Sequence, residues 1–275
     1  MFLSLVQDIP LNQAVPLEQY NREWCLVNND SELSLVSNIC PHQNAMLTDV
    51  PTDKFTCGYH GKQFSINGTG TNTSLCLPKK PVYITNALIL DKPLPVPFPC
   101  NLAHMKLAEY RKDIVRSTPE IIMDVFLDIE HIDHAHAGVY DQIGIDDLGR
   151  IKVSTFEYCS TQSVLSDNPT YAIDADRESG QAAYWLAIYP ATMIEWQPGS
   201  CFVTVATKVN DSSSCVHVFK YYDDRYDANT ISINDKIWET AWSQDKHLSE
   251  SIVSLPTQYL SELKQHYADW LKNAK

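Results

Sequence analysis

Cys40-Pro41-His42 and, fourteen residues further on, Cys57-Gly58-Tyr59-His60 are the stretches on which the reading of this chain turns. The spacing is C-x-H followed by C-x-x-H. Two thiols and two imidazoles on paired short loops can hold zinc or an iron–sulfur cluster. Zinc fingers commonly pair Cys with Cys and His with His. Here each loop offers one of each, so the two cysteines can serve one iron and the two histidines another.

Imidazole replacing thiolate on one of two irons is Rieske 2Fe–2S ligation, which raises the reduction potential. The flanks agree. Tyr59-His60-Gly61-Lys62-Gln63-Phe64 resembles the Rieske pattern YHGWxF, Ala45-Met46-Leu47 follows the first loop, and Gly68 closes the second. Respiratory Rieske proteins carry an additional disulfide, whose two positions are occupied here by Ala45 and Tyr59. The resemblance is therefore to the oxygenase and ferredoxin types. Gln43-Asn44 in place of Arg-Gly, and Lys62 in place of Trp, are departures that bear on potential and docking surface.

Outward from the loops, the N-terminal part reads as a small all-β domain. Trp24-Cys25-Leu26-Val27, Leu33-Ser34-Leu35-Val36, Lys54-Phe55-Thr56-Cys57 and Leu88-Ile89-Leu90 are short strand patterns between Asn, Asp, Pro and Gly turns. Asp91-Lys92-Pro93-Leu94-Pro95-Val96-Pro97-Phe98-Pro99-Cys100 has proline at every second position from 93 to 99. It can continue neither a helix nor a central strand and favours an extended connector. We expect domains over 1–98 and 99–275. After the connector, Thr118 as N-cap and Pro119 in the first turn predict a helix running to about His136 and ending near Gly138. Strands are predicted over 151–158, 183–196, 201–208 and 215–222. A C-terminal helix is predicted from Trp242 to about Lys272, where Leu260, Leu263, Tyr267, Trp270 and Leu271 recur at helical spacing, with a kink or break at Pro256.

The first of these helices holds a second constellation, Asp128-Ile129-Glu130-His131-Ile132-Asp133-His134-Ala135-His136. His131 and His136 are five residues apart, roughly 140° off a common helix face. They meet at one ion only if the helix is distorted or ends between them, and His134 is geometrically easier to pair with His131. From the residues alone, any two of the three histidines can be ligands.

With the Rieske motif, the order of segments resembles the Rieske non-haem iron aromatic-ring-hydroxylating oxygenases, catalytic (alpha) subunit. Their pattern N-x-x-D-x-x-H-x-x-x-x-H matches Asp128, His131 and His136, with Val125 standing where Asn is usual. The resemblance implies a downstream carboxylate ligand. Ser243-Gln244-Asp245-Lys246-His247-Leu248-Ser249-Glu250 is similar to the family segment EDxxxxE, making Asp245 the third ligand, 109 residues after His136, with Glu239 and Glu250 as rivals. Two imidazoles and one carboxylate leave open positions on a non-haem Fe(II). The implied fold class is α+β: an all-β Rieske domain and a helix-grip (START-like) catalytic domain with an antiparallel sheet. The implied cofactors are a 2Fe–2S cluster, held by Cys40, His42, Cys57 and His60, and a mononuclear Fe(II). Asp128 is the implied bridge between sites, from His131 to a Rieske histidine of a neighbouring subunit in a homotrimer. Tyr184, Trp185, Tyr189, Met193, Trp196 and Phe202 are candidates for an apolar pocket, although core packing is the better account of them.

Composition limits the alternatives. Of 275 residues, 21 are Lys or Arg and 34 are Asp or Glu, a net charge of −13. Such a chain is poorly suited to nucleic acid or to an anionic lipid surface. No apolar run approaches the ~18 residues of a membrane span. The beginning, Met1-Phe2-Leu3-Ser4-Leu5-Val6-Gln7-Asp8, lacks the basic region of a signal peptide, so a cytoplasmic location with reduced cysteines is expected. Neither G-x-G-x-x-G nor a P-loop occurs, so electrons are expected from a separate reductase or ferredoxin. The expected activity is that of a mono- or dioxygenase using O2 to hydroxylate, or oxidatively N- or O-demethylate, a small organic substrate. The alternative is a Rieske electron-transfer or ligand-binding protein with an inactive catalytic domain.

Overall fold

The computed structural model describes residues 1–29, 32–93, 101–127, 131–139, 151–156, 161–166, 183–188, 192–197 and 199–255, with only the backbone for 151–156, 161–166 and 183–188. The chain divides into two compact units, Phe2–Ala103 and His104–Lys275. Residues 94–100 of the proline-rich connector lie outside the described residues, and with them the expected boundary at 98/99. Every strand pair is antiparallel, in keeping with the α+β class. Among the described residues, no helix is long and apolar enough to cross a membrane.

The first unit contains β1 (Phe2–Leu5), β2 (Gln13–Pro16), β3 (Trp24–Asn29), β4 (Glu32–Ser37), β5 (Lys54–Thr56), β6 (Gln63–Ser65), β7 (Lys79–Pro81), β8 (Tyr83–Thr85) and β9 (Leu88–Leu90). They form three sheets, ordered β2-β3-β4-β7, β1-β9-β8 and β5-β6. Cys25, Val27 and Val36 alternate inward from β3 and β4 to meet Phe55 and Phe64 of the β5–β6 hairpin. The four sequence-predicted strands are present. The remaining five are short, and two of them, β7 and β8, are largely exposed, so they lack the apolar alternation that would reveal them.

The second unit is built on one seven-stranded sheet. Its strands are β10 (Lys106–Val115), β11 (Ile151–Phe156), β12 (Thr161–Ser166), β13 (Ala183–Ile188), β14 (Thr192–Gln197), β15 (Ser200–Asn210) and β16 (Ser213–Tyr222). The order β10-β16-β15-β14-β13-β12-β11 is a meander closed at one edge by the earlier strand β10. The stretch predicted as one strand over 183–196 is two, paired with Tyr184 opposite Trp196 and Ile188 opposite Thr192. Pro190 has no N–H to give to a ladder, which disfavours a continuous strand there.

Among the described residues, three helices accompany the sheet: α1 (Pro119–Leu127), α2 (Ile132–Ala135) and α3 (Ala228–Ser251). The Thr118 hydroxyl accepts from the Ile121 N–H at 3.4 Å, the cap read from sequence. The C-terminal helix starts well before the expected Trp242 and ends close to Pro256, where a kink or break was expected. It starts at Ala228, where the Asp227 carboxylate accepts from the Thr230 N–H at 2.7 Å. It stops at Ser251, and Ile252 to Leu255 are not helical. Pro256 explains the stop, because the residue before proline is pushed away from helical backbone angles. The periodic residues Leu260 to Leu271 lie outside the described residues.

Helix α3 buries Trp238 and Trp242 against Val115, Phe202, Val216, Val218 and Tyr222 of the sheet. The two indoles stack at 5.8 Å, and Phe126 of α1 stacks on Trp242 at 6.0 Å, nearly parallel. Ion pairs then fix α3 along β10. Arg111 meets Glu239, Asp113 meets Lys246 at 2.9 Å, and Arg116 meets Glu250 at 3.2 Å. Lys220 of β16 is buried between Glu109 at 2.9 Å and Asp235 at 3.1 Å, with its ammonium over the Trp238 ring. A buried ammonium is tolerated because carboxylates and an aromatic face replace its hydration.

The Asp113 carboxyl gives a testable consequence. Burial pushes it up, but the Lys246 ammonium and the Trp242 indole N–H outweigh that and hold it below the ordinary carboxylate value. A depressed folded-state pKa contributes stability above the unfolded value of roughly 3.9, and that contribution is lost as pH falls through the folded value. Asp113→Asn is expected to destabilise the protein by about 1 kcal/mol at neutral pH. Urea unfolding should show the deficit closing on acidification; a deficit equally large in acid would assign Asp113 to packing alone.

Candidate metal centres

In the first unit, the two Cys/His loops share one backbone design. The Cys40 N–H donates to the Ala45 carbonyl at 2.8 Å, and the Asn44 N–H returns to the Cys40 carbonyl at 2.9 Å. In the second loop, the Cys57 N–H donates to the Lys62 carbonyl and the Gly61 N–H returns to the Cys57 carbonyl, both at 2.8 Å. Each loop therefore closes from its cysteine to the fifth residue on. Each places a left-handed residue at the fourth, Asn44 at φ 55° and Gly61 at φ 63°. Asn and Gly are the residues that enter this region at least cost, which accounts for Asn44 where the family pattern has Gly.

This design puts both sulfurs inside and both rings outside. Cys40 and Cys57 are buried, whereas His42 and His60 are exposed with ring centroids 4.8 Å apart. Tyr59 lies over His60 at 4.0 Å and is itself largely exposed. Burial pushes the Cys57 thiol up, but N–H groups of His60 and Tyr59, the Cys40 thiol and the Lys62 charge bring it below its ordinary value. That favours the thiolate a metal requires. Asn38, fully buried at the root of the first loop, donates to the Arg22 carbonyl at 2.7 Å and the Thr48 carbonyl at 2.6 Å. Its own Oδ1 accepts from the Thr48 N–H at 3.1 Å.

In the second unit, His131, His136 and Asp245 come together. His131 Nε2 lies 3.1 Å from His136 Nε2 and 3.2 Å from Asp245 Oδ1, and His136 Nε2 lies 3.0 Å from the same oxygen. The five-residue spacing is accommodated because α2 ends at Ala135, so His136 lies in the turn that follows. Gly138, at φ 78°, continues that turn. Asp245 comes from α3, one turn beyond Trp242, the indole stacked on Phe126 of α1. His136 and Asp245 are buried. Burial pushes the Asp245 carboxyl up, and the two imidazoles more than offset this, so it lies below its ordinary value and is ionised.

The remaining sequence candidates separate from this cluster. Glu239 is engaged by Arg111 and lies 3.4 Å from Lys220. Glu250 accepts from the Arg116 N–H at 3.1 Å. His134 is exposed on α2. Asp128, the expected bridge, lies outside the described residues, as does Tyr189. Val125 is buried in α1. Of the aromatic and sulfur-bearing pocket candidates, Met193 packs with Met123 and Phe126, and Phe202 faces Trp238. Trp196 falls on the opposite sheet face from both, one residue from Glu195, which pairs with Phe202. Tyr184 and Trp185 are placed only by backbone pairing, opposite Trp196 and Glu195. One residue was missed: Gln244, whose Oε1 accepts from His136 Nδ1 at 2.8 Å. Its signal was its position beside Asp245, where the family segment has Glu.

The donor sets fit the two groups. Two buried thiols opposed by two outward imidazoles suit a cluster with mixed ligation. With Gln244 Oε1 accepting at Nδ1, His136 presents its Nε2 toward Asp245 and His131. Three donor atoms facing one point with like polarity suit a divalent ion, and two nitrogens with one carboxylate suit non-haem iron.

Residues 1–83 match the family model for the Rieske [2Fe-2S] domain. No curated protein matches the sequence. Among solved structures, the fold is similar to the quaternary ammonium Rieske monooxygenase CntA in complex with L-carnitine. The TM-score is 0.70 at 15% identity, covering 99% of this chain and 87% of that one. It is also similar to a naphthalene 1,2-dioxygenase variant bound to phenanthrene, with TM-score 0.65, 13% identity, and 100% and 75% covered. NdmA of Pseudomonas putida CBB5 with caffeine gives TM-score 0.52 at 16% identity over 90% and 80%.

If the paired loops hold a His-ligated cluster, dithionite-reduced protein is expected to give the rhombic, low-average-g electron paramagnetic resonance signal of a Rieske centre. A signal of all-thiolate type, or tetrahedral zinc with no labile sulfide, would contradict the ligand set. Residues 1–83 thus belong to a Rieske [2Fe-2S] domain, and the fold of the whole chain is similar to that of solved Rieske mono- and dioxygenases.

Proposed function

We propose that the chain is the terminal oxygenase component of a multicomponent system, a Rieske non-haem iron oxygenase acting on a small organic substrate. The observation that carries this reading is the convergence of His131, His136 and Asp245 in a chain that also bears a Rieske domain. Its functional halves are a cluster domain over 1–98 and a catalytic domain over 99–275. When bound, the 2Fe–2S cluster relays single electrons and the mononuclear iron activates dioxygen. Cys40, Cys57, His42 and His60 hold the first; His131, His136 and Asp245 hold the second.

The chain's own residues supply the rest. Asp245, ionised in a buried setting, gives the site its negative charge, and a set of three protein ligands would leave coordination positions open on a bound ion. The outward rings of His42 and His60 offer a short path to a partner at the surface. A separate reductase or ferredoxin is that partner, since neither nucleotide-binding motif occurs in the sequence. The reading includes a homotrimer in the cytoplasm, in which Asp128 joins His131 to the Rieske histidines of a neighbouring subunit. Product is a hydroxylated substrate, or a demethylated one where the attacked methyl adjoins a heteroatom.

Substrate-dependent oxygen uptake tests this directly. It should require an added reductase and be absent with NADH and the pure chain alone; robust uptake without a reductase would contradict the division of labour. Asp128→Asn should retain both metals yet slow single-turnover oxidation of the reduced cluster. An unchanged rate would make Asp128 a solvated helix residue, and loss of the mononuclear ion would make it a ligand.

A further inference from the structure

We propose that Gln244 is the positioning residue that fixes which nitrogen of His136 is offered to the metal. This rests on the reading of His131, His136 and Asp245 as a divalent-metal site. The His136 ring is buried, so its tautomer is set by protein partners. Its Nδ1 lies 2.8 Å from Gln244 Oε1, an amide carbonyl oxygen that can only accept. The ring therefore carries a proton on Nδ1, which leaves Nε2, the atom 3.0 Å from Asp245 Oδ1 and 3.1 Å from His131 Nε2, as the nitrogen to be offered to a metal.

The helix makes the arrangement economical. Gln244 and Asp245 are consecutive on α3, about 100° apart around its axis. Asp245 reaches the Nε2 side of the ring while Gln244 reaches the Nδ1 side, so one helical turn grips both ends of one imidazole. The stack of Trp242 on Phe126 and the pairing of Lys246 with Asp113 flank this grip and hold its height along the sheet. The amide is neutral, unlike the Glu of the family segment, so it orients the ring without adding a second carboxylate charge beside Asp245. Removing such a partner typically weakens metal binding by about 10–100-fold.

The test uses the full chain with its cluster intact and the mononuclear ion removed by chelation. The 15N resonances of labelled histidine, read after Zn(II) is added back, report the tautomer, and titration of the metal-depleted protein with Co(II) reports affinity. Wild-type His136 is expected to carry its proton on Nδ1. Gln244→Leu should lose that single tautomer and bind Co(II) at least about 10-fold more weakly, and Gln244→Glu, which restores an acceptor, should recover both. The Rieske absorption should not change in either variant. A wild-type proton on Nε2 would overturn the proposal without any variant. So would an unchanged tautomer and affinity in Gln244→Leu, and the metal site itself would then stand. If wild-type protein takes up no Co(II), and the His131→Ala and Asp245→Ala variants behave identically to it, the metal-site reading falls and the proposal with it.

Discussion

Trp242 is the residue on which the second unit's geometry depends. Its ring is stacked between Trp238 and Phe126, and its N–H reaches the Asp113 carboxylate at 3.3 Å. It thereby joins the three segments that must agree for a metal site to form: α3, α1 and the edge strand β10. Asp245 follows it by three residues on α3, and His131 follows Phe126 by five. A stacked aromatic pair adds roughly 0.5–1.5 kcal/mol beyond its area burial. Its larger effect here is geometric, since a shift of the stack moves a ligand from either side. The ion pairs of Arg111, Asp113 and Arg116 with α3 add register along the strand. A ridge of aromatic packing therefore sets distance, and charges set axial position.

The first unit achieves precision by different means. Its loops are short and bury only the two cysteines, so the backbone does the positioning. Two closing hydrogen bonds and one left-handed residue per loop give the same local path twice. The histidine stands two residues after the cysteine in one loop and three after it in the other. Asn38 then ties the root of the first loop to two neighbouring turns through three buried hydrogen bonds. Each unit thus rests on the kind of interaction its size allows: hydrogen-bonded turns in a small β domain, and aromatic stacking across a large sheet.

The chemistry was more legible in the sequence than the architecture. Cys40, His42, Cys57 and His60 are readable because ligand spacing is local and the loops are short. His131 and His136 were recognisable as a pair only through resemblance, since an uninterrupted helix would separate them. What resolves the conflict is the helix end after Ala135, for which Gly138 was the available sign. The start of α3 was misplaced by fourteen residues because its first turns are mostly polar and exposed, although the Asp227 cap was present. The break near Pro256 was legible from that proline, and the periodic residues beyond it lie outside the described residues. The strands β10 and β12 carry charged or hydroxylated residues at many positions, so they lack the alternation that marks a half-buried strand. Gln244 could not have been found from residue type, since glutamines are common on helices; its place beside Asp245, where the family segment has Glu, was its sign in the sequence, and the 2.8 Å distance to His136 gives it a role.

The central claim is that one chain holds two distinct metal sites. The most direct measurement is iron and acid-labile sulfide per chain, on protein purified without oxygen, for wild type and Asp245→Ala. Three irons with two sulfides are expected for wild type, and two irons with two sulfides for the variant. Wild-type protein carrying only two irons, or an Asp245→Ala variant with all three, would contradict a mononuclear centre at His131, His136 and Asp245.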